Sequence, residues 1–139
     1  MKKAAMYRLD ENALISKIQA ELPNVKLIYI FGSYAQGTQH SQSDLDIAVF
    51  CPKALDNVTR WQIAQSLAAK LDIDVDLIDL HQASTVLCQQ ILTQGKRLWG
   101  SQIEDDRFAV KTMSMYQHLQ QERAMILKDF KRLNSKGNS

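Results

Sequence analysis

The stretch that decides the fold is Gly32 to Asp46, which reads GSYAQGTQHSQSDLD. A Gly-Ser pair opens this stretch, an Asp-x-Asp pair closes it, and ten residues separate the two pairs. The residues before it, 25–31 (VKLIYIF), are rich in β-branched and aromatic side chains, which predicts a buried strand ending at the glycine. The residues from 44 to 51 (DLDIAVFC) predict a second strand, stopped by Pro52. Two strands joined by a turn of helix and a polar loop are therefore expected here.

The Asp-x-Asp pair is the first candidate site. Residues i and i+2 of a strand point to the same face, so Asp44 and Asp46 are expected to stand side by side. Two close carboxylates repel each other unless a cation lies between them. Mg²⁺ is commonly held by one or two carboxylates together with substrate phosphates. The pattern therefore predicts a magnesium site at the start of the second strand.

The Gly-Ser pair is the second candidate site. Gly32 lies at a strand end, where the absence of a side chain lets the backbone approach a ligand closely. Backbone N–H groups at the start of the helical turn expected around residues 34–36 attract phosphate, and the Ser33 hydroxyl adds a donor. We expect Gly32 and Ser33 to hold the β- and γ-phosphates of a nucleoside triphosphate, opposite the metal.

A third carboxylate is expected from a neighbouring strand. Residues 73–80 (IDVDLIDL) alternate apolar and acidic side chains for most of their length, which is the period-2 pattern of a strand. If this strand adjoins the one that carries Asp46, Asp76 completes a set of three acids that binds metal and accepts a proton from an attacking hydroxyl. Asp74 lies on the same face and is the second choice. The alternative is that these acids only solvate an outer face.

The remaining segments predict helices packed on a small sheet. Asp10 is placed to cap a helix that ends at Pro23, and Ser84 to cap another through Leu92. Further helices are expected at 57–70 and 104–133, and a short strand at 97–99. The apolar set of the 57–70 helix is Trp61, Ile63, Ala64, Leu67 and Ala68; that of the 104–133 helix includes Phe108, Met115, Leu119, Ile126, Phe130 and Leu133. The order indicates an α/β (α+β) fold, a small sheet flanked by helices.

Length and composition exclude several classes of protein. The chain has 139 residues, 45% hydrophobic and 23% charged, which is ordinary globular composition and excludes a disordered or fibrous protein. Its two cysteines, Cys51 and Cys88, form no CxxC motif, which excludes a disulfide scaffold or zinc ribbon. No apolar run is long enough to span a bilayer, and the first residues lack the apolar core of a signal peptide. We expect a cytoplasmic protein, and a net charge of +2 gives no argument for direct nucleic-acid binding.

Gly32-Ser33, the ten-residue spacer, Asp44-x-Asp46 and Val75-Asp76-Leu77 together resemble the polymerase-β-type nucleotidyltransferase superfamily. Within it, the chain is similar to the minimal nucleotidyltransferase (MNT) antitoxins of HEPN/MNT toxin–antitoxin pairs. The resemblance covers roughly residues 10–100. It departs at Gln36, where members often carry a basic residue; a neutral side chain weakens contact with the triphosphate but leaves the metal acids intact.

This resemblance implies a type VII-like antitoxin that uses one or two Mg²⁺ ions to transfer AMP from ATP to a tyrosine of the cognate HEPN ribonuclease toxin. Two alternatives stay open: a nucleotidyltransferase with a small-molecule acceptor such as an aminoglycoside, and a non-catalytic module that neutralises the toxin by contact.

The chain is expected to divide into a nucleotidyltransferase domain (1–103), a C-terminal helix (104–134) and a frayed tail (135–139). Three methionines on the helix suit an adaptable protein-binding surface, whereas its apolar positions also suit packing on the sheet. Both interpretations stay open.

Overall fold

The computed structural model describes residues 9–40 and 42–137 of the chain. The described elements, in chain order, are α1 (Glu11–Glu21), β1 (Leu27–Phe31), α2 (Ser33–Gln36), β2 (Leu45–Phe50), α3 (Asn57–Leu71), β3 (Val75–Asp79), α4 (Thr85–Gln94), β4 (Lys96–Gly100) and α5 (Gln102–Gly137). The strands form one sheet in the order β3-β2-β1-β4. β1 is antiparallel to β2 and to β4, and β2 is parallel to β3. The small mixed sheet flanked by helices is confirmed. The N-terminal segment and the last two residues of the predicted tail lie outside the described residues.

Both faces of the sheet are covered by helices. Alternate residues of the strands pack with α1 and α3 into a first core; its fully buried members include Leu14, Ile18, Ile28, Ile47, Val49, Leu67 and Leu77. The other residues of the strands form a second core with α4 and the first turns of α5, made of Leu27, Tyr29, Ala48, Leu80, Cys88, Ile91 and Phe108. This second face carries Asp46, since Asp46 alternates with the buried Ile47 along β2.

Side-chain caps fix where three of the helices begin. The carboxylate of Asp10 accepts a hydrogen bond from Ala13 N (3.1 Å), and Ser84 Oγ accepts one from Leu87 N (3.1 Å). Asp56 does the same for Thr59 N (2.7 Å) at the start of α3. Such caps satisfy N–H groups that have no partner within the helix, so the caps predicted at Asp10 and Ser84 are confirmed.

The predicted apolar set of α3 is wrong at one position. Ile63, Ala64 and Leu67 are buried, but Trp61 is 60% exposed. The side chain lies on the outer side of the helix, next to the exposed Val58 one turn earlier. Helical spacing alone assigned the tryptophan to the core, because a large aromatic at the edge of an apolar stripe is compatible with either side of the boundary.

The first turns of α5 are fastened to the sheet. The hydroxyl of Tyr29, which is 3% exposed, donates a hydrogen bond to Asp105, and Arg97 on β4 pairs with the same carboxylate at 3.3 Å. Phe108 is buried against the rings of Tyr29 and Phe50. This part of the helix therefore belongs to the core of the domain.

The rest of α5 leaves the domain. Residues 120–135 are exposed along their whole length, including apolar side chains predicted to form one stripe (Ile126, Phe130 and Leu133). The helix starts at Gln102, two residues before its predicted start, and continues through residues 135–137, which were expected in the tail.

Along the described part of the chain, none of the helices has both the length and the apolar character that crossing a membrane requires.

Candidate active site

The candidate site lies at one end of the sheet, where three segments meet. β2 and β3 are parallel and in register, with Asp46 directly beside Asp76. β1 runs in the opposite sense and ends with Phe31 beside Asp46, so Gly32 follows at the same end. The fold therefore brings together residues separated by 30 positions in the sequence, and the predicted adjacency of their two strands is confirmed.

The backbone of Gly32 lies against the Asp46 carboxylate. Its dihedral angles, φ 70° and ψ −152°, lie in a region that residues with a side chain almost never occupy. A Cβ atom at this position would overlap with Oδ2 of Asp46. Both the conformation and the contact with Asp46 therefore require glycine at this position.

Burial and two neighbouring carboxylates raise the pKa of Asp46. Desolvation is the largest cause, followed by the charges of Asp76 and Asp44. Asp44 precedes the first residue of β2 and is exposed, as is Asp76. A partly buried carboxylate that feels two like charges is destabilised in its ionised form, and a cation placed among the three would relieve that repulsion.

The turn of helix predicted after the Gly-Ser pair is α2. It is closed by a bond from Gln36 N to the carbonyl of Gly32 (3.3 Å), and Thr38 N donates to the carbonyl of Ser33 (2.9 Å). No side chain caps the start of the turn. Its first N–H groups are therefore oriented outward without an intrahelical acceptor. The exposed Gln36 adds no positive charge at this point.

The polar loop that follows is held by its own side chains. His40 N donates to Ser43 Oγ (2.8 Å), and His40 Nδ1 accepts from Gln42 N (3.2 Å). Tyr34, which directly follows Ser33, packs against the first core. Burial raises the pKa of its hydroxyl.

Asp74, the second choice for the third carboxylate, lies at the same sheet end, whereas the two cations of β4 are held by acids of other elements. Asp74 precedes β3, and its carbonyl accepts a hydrogen bond from Leu45 N (2.8 Å), which aligns the starts of the two parallel strands. Lys96 pairs with Glu11 at 2.8 Å, and Arg97 with Asp105. Both cations are thus paired within the chain itself. Phe31 lies in the strand predicted over residues 25–31, but its place beside Asp46 follows only from the pairing of β1 with β2.

The donor set determines which metal would suit this site. Within residues 9–40 and 42–137, no three His, Cys, Asp or Glu side chains converge closely enough to hold a metal ion unaided. Mg²⁺ does not need such a cage, because substrate phosphates and water supply most of its ligands. The acids at this sheet end are hard oxygen donors, and the charges of Asp44 and Asp76 act on Asp46. They fit Mg²⁺ that arrives with a nucleotide.

Comparison with known proteins identifies the family of the segment that carries this site. Residues 13–104 match the family model described as polymerase beta, nucleotidyltransferase. Protein adenylyltransferase MntA of Shewanella oneidensis is 60% identical over 124 residues, which cover 89% of each chain.

Two solved structures have the same fold. A chain in a crystal structure of a toxin–antitoxin with AMP-PNP superposes with a TM-score of 0.82 at 60% identity, covering 87% of this chain and 98% of the other. A structure of tri-AMPylated Shewanella oneidensis HEPN toxin in complex with MNT antitoxin gives 0.74 at 55% identity, covering 86% and 93%.

The family match covers more than half of the chain and includes the Gly-Ser pair and all three acids. The chain belongs to the polymerase beta nucleotidyltransferase family.

Proposed function

We propose that this nucleotidyltransferase is a protein adenylyltransferase that acts as an antitoxin. It transfers AMP from ATP to a tyrosine hydroxyl of a HEPN-domain ribonuclease toxin in the cytoplasm and thereby silences the toxin. The observation that carries this proposal is the pairing of β2 with both of its neighbours, which sets Asp46 beside Asp76 on β3 and against Gly32 at the end of β1. It is supported by the 60% identity to an enzyme named protein adenylyltransferase.

Each residue has a distinct part in the proposed reaction. Gly32 and Ser33 bind the β- and γ-phosphates through the outward N–H groups of α2 and the serine hydroxyl. The tyrosine oxygen attacks the α-phosphorus in line, its bond to phosphorus forms as the bond to the bridging oxygen breaks, and pyrophosphate leaves. Asp76, exposed at the sheet end, accepts the proton of the hydroxyl.

Asp44, Asp46 and Asp76 are proposed as the carboxylate ligands of Mg²⁺, in one or two ions. The metal would offset the charge that develops on the phosphates and on the departing pyrophosphate. Because Asp46 is partly buried and flanked by like charges, its ionised form is stabilised most when the cation is bound.

The proposed division of labour follows the fold. The catalytic domain would extend beyond the predicted boundary at residue 103 to include the buried first turns of α5, and the exposed part of α5 would serve recognition of the protein substrate. The methionines and apolar residues of that part have no cover within the described chain.

Intact-mass spectrometry of the cognate HEPN-domain partner tests the proposal. Co-expression with the unsubstituted chain should add one or more AMP residue masses to the partner and abolish its ribonuclease activity. Co-expression with Asp46→Asn should leave the mass unchanged and the ribonuclease active. A partner that is inhibited without any added mass would overturn the transfer reaction in favour of neutralisation by contact.

A further inference from the structure

A cavity at the other end of the sheet from the acids has no part in the proposed reaction. It has a volume of about 290 Å³ and lies between α5, the end of β2 and the turn that precedes α4. Phe50, on its wall, lies four residues beyond Asp46 along β2, which is about 13 Å at 3.3 Å per residue. The covered centre of the second core separates the two. The cavity is therefore a separate feature of the molecule.

The interior of this cavity is apolar and aromatic. Phe50, Phe108 and Leu80 line it, and the ring of His81 stacks on Phe50 with centroids 4.5 Å apart. The His81 ring is fixed from its other side by a hydrogen bond between Nε2 and the carbonyl of Cys51 (2.6 Å). Roughly 150 Å³ accommodates a benzene-sized group in a protein cavity. The space thus accepts an aromatic or long aliphatic side chain.

The mouth of the cavity is positively charged. Lys26, Arg107 and Lys111 border it together with one carboxylate, Glu104. Glu104 is shared between Lys26 (3.8 Å) and Arg107 (3.7 Å). Lys111 has no ion-pair partner among the residues that the structure describes. Three cations against one carboxylate favour an incoming acidic group.

The cavity continues into the exposed part of α5. A second, shallower depression shares Thr85 and Met115 with it and extends to Leu119 and Glu122. From Leu119, helical spacing leads along the same side of α5 to Ile126, Phe130 and Leu133, all exposed. The cavity, the depression and this stripe together form one surface, called here the docking surface.

We infer that the docking surface binds a polypeptide segment of the protein substrate in which acidic residues flank an aromatic or long aliphatic side chain. The apolar side chain enters the cavity, the carboxylates meet Lys111 and Arg107 at its mouth, and the adjoining part of the partner covers the stripe on α5. Buried aromatic anchors with a charged rim are typical of specific protein interfaces. A surface this long and open fits a polypeptide rather than a small molecule. The inference rests on the proposed function for the identity of the partner.

Two substitutions on the docking surface and two controls on the same helix test the inference. Lys111→Glu reverses the charge at the mouth, and Met115→Glu places a charge in the apolar groove. Lys128→Glu and Val110→Glu make the same changes on the opposite side of α5, since both positions lie about 200° around the helix from the stripe. All four positions are exposed, so each variant is expected to fold.

The affinity for the purified cognate HEPN-domain partner is measured without nucleotide, at low and at high salt. Lys111→Glu and Met115→Glu should each weaken binding at least tenfold, and Lys111→Glu should also flatten the salt dependence. They should raise KM for the partner in the transfer reaction while kcat and the affinity for ATP stay within twofold. The two controls should stay within twofold of the unsubstituted chain in every measurement.

Two results would overturn the inference. One is unchanged binding by both variants while the partner is still adenylylated, which leaves the proposed function intact. The other is self-association of the chain alone in sedimentation that Met115→Glu abolishes, since the surface would then serve a second copy. A chain that binds the partner through Lys111 and Met115 but adds no AMP would instead overturn the proposed function and support the docking surface.

Discussion

A single carboxylate, Asp46, combines most of the unusual features of the candidate site. It is partly buried, it adjoins a backbone that tolerates no side chain, and it feels two neighbouring charges. Such groups are costly to keep ionised in the absence of a ligand. The cost of keeping Asp46 ionised indicates a residue that serves ligand binding rather than the stability of the fold.

Asp46→Asn should abolish transfer and slightly stabilise the ligand-free chain. Folding raises the pKa of Asp46, so the folded chain keeps this proton to a higher pH than the unfolded chain does. The ionised group therefore lowers stability above the folded pKa, and this cost disappears below the ordinary value of about 3.9. The gain in melting temperature of the variant over the parent should grow as pH rises from about 4 to 7. A variant that melts below its parent at pH 7 would contradict this interpretation.

Gly32→Ala should damage both the fold and the chemistry. The backbone conformation costs about 1–3 kcal/mol for a residue with a side chain, and the new methyl group displaces the Asp46 carboxylate. Transfer should fall on the order of 10²-fold or more, comparable with the loss of an essential polar group.

Gly37→Ala is the matched control for that substitution. Gly37 has a similar φ of 72°, but its ψ of 19° lies in the left-handed helical region, which strains a side-chain residue less than the ψ of −152° at Gly32, and a Cβ there meets open space. It should cost about 1–2 kcal/mol of stability from strain alone. Thermal melts and labelled-AMP incorporation on both variants separate strain from the approach to Asp46. Equal activities in the two would show that the close approach has no catalytic consequence.

Most of the residues of the candidate site follow from the sequence, but their surroundings do not. The spacing from Gly32 to Asp46 and the alternation around Asp76 identify the acids, because strand periodicity fixes which side chains share a face. The raised pKa of Asp46 depends on its burial and on the charges of Asp76 and Asp44, and Asp76 is placed beside it by the pairing of β2 with β3.

At the scale of elements, capping residues and hydrophobic periodicity predict where the helices and strands lie. The order in which the strands pair is known only from the structure. The caps at Asp10 and Ser84 and the short strand near residue 98 are readable because they depend on neighbours in sequence. That β4 joins β1, rather than β3, depends on packing between distant segments. The sequence shows the apolar stripe on α5, but it does not show which part of the stripe is buried. Periodicity identifies residues that share a side of a helix and does not identify the segment that packs against them.

Ending the chain after Gln121 should leave the domain stable and weaken binding of the protein substrate. Residues 122–135 are all exposed, and surface changes usually stay within about 0.5 kcal/mol. Phe108→Ala, in the fastened part of the same helix, should instead cost about 3 kcal/mol because its ring is buried. Thermal melts and partner-binding measurements on both variants distinguish a helix that stabilises the domain from one that binds the protein substrate. A truncated chain as unstable as Phe108→Ala would mean that the outer half of α5 supports the domain.

At the scale of the whole molecule, metal, nucleotide and protein substrate should act together. The acids at the sheet end fit Mg²⁺ delivered with phosphates, and no three potential protein ligands converge on a metal by themselves in the described part of the chain. We expect the affinity for ATP to be at least about tenfold higher with Mg²⁺ than in EDTA, or about 1.4 kcal/mol. The double variant Asp44→Asn/Asp46→Asn should lose this difference. Calorimetric titration with ATP measures the affinity of the parent chain and of the double variant, each with Mg²⁺ and in EDTA. Equal affinities for the parent chain with and without Mg²⁺ would show that the acids do not bind the metal.

The length of α5 also affects how the molecule moves through solution. At 1.5 Å per residue its 36 residues extend about 54 Å. A compact chain of 139 residues would have a radius of gyration of only about 14 Å. The protruding rod raises the frictional drag, so the monomer should elute from gel filtration ahead of globular standards of 15.8 kDa. A partner that packs along the rod would make the particle more compact, and the complex would then elute close to the position expected from the summed masses of its components.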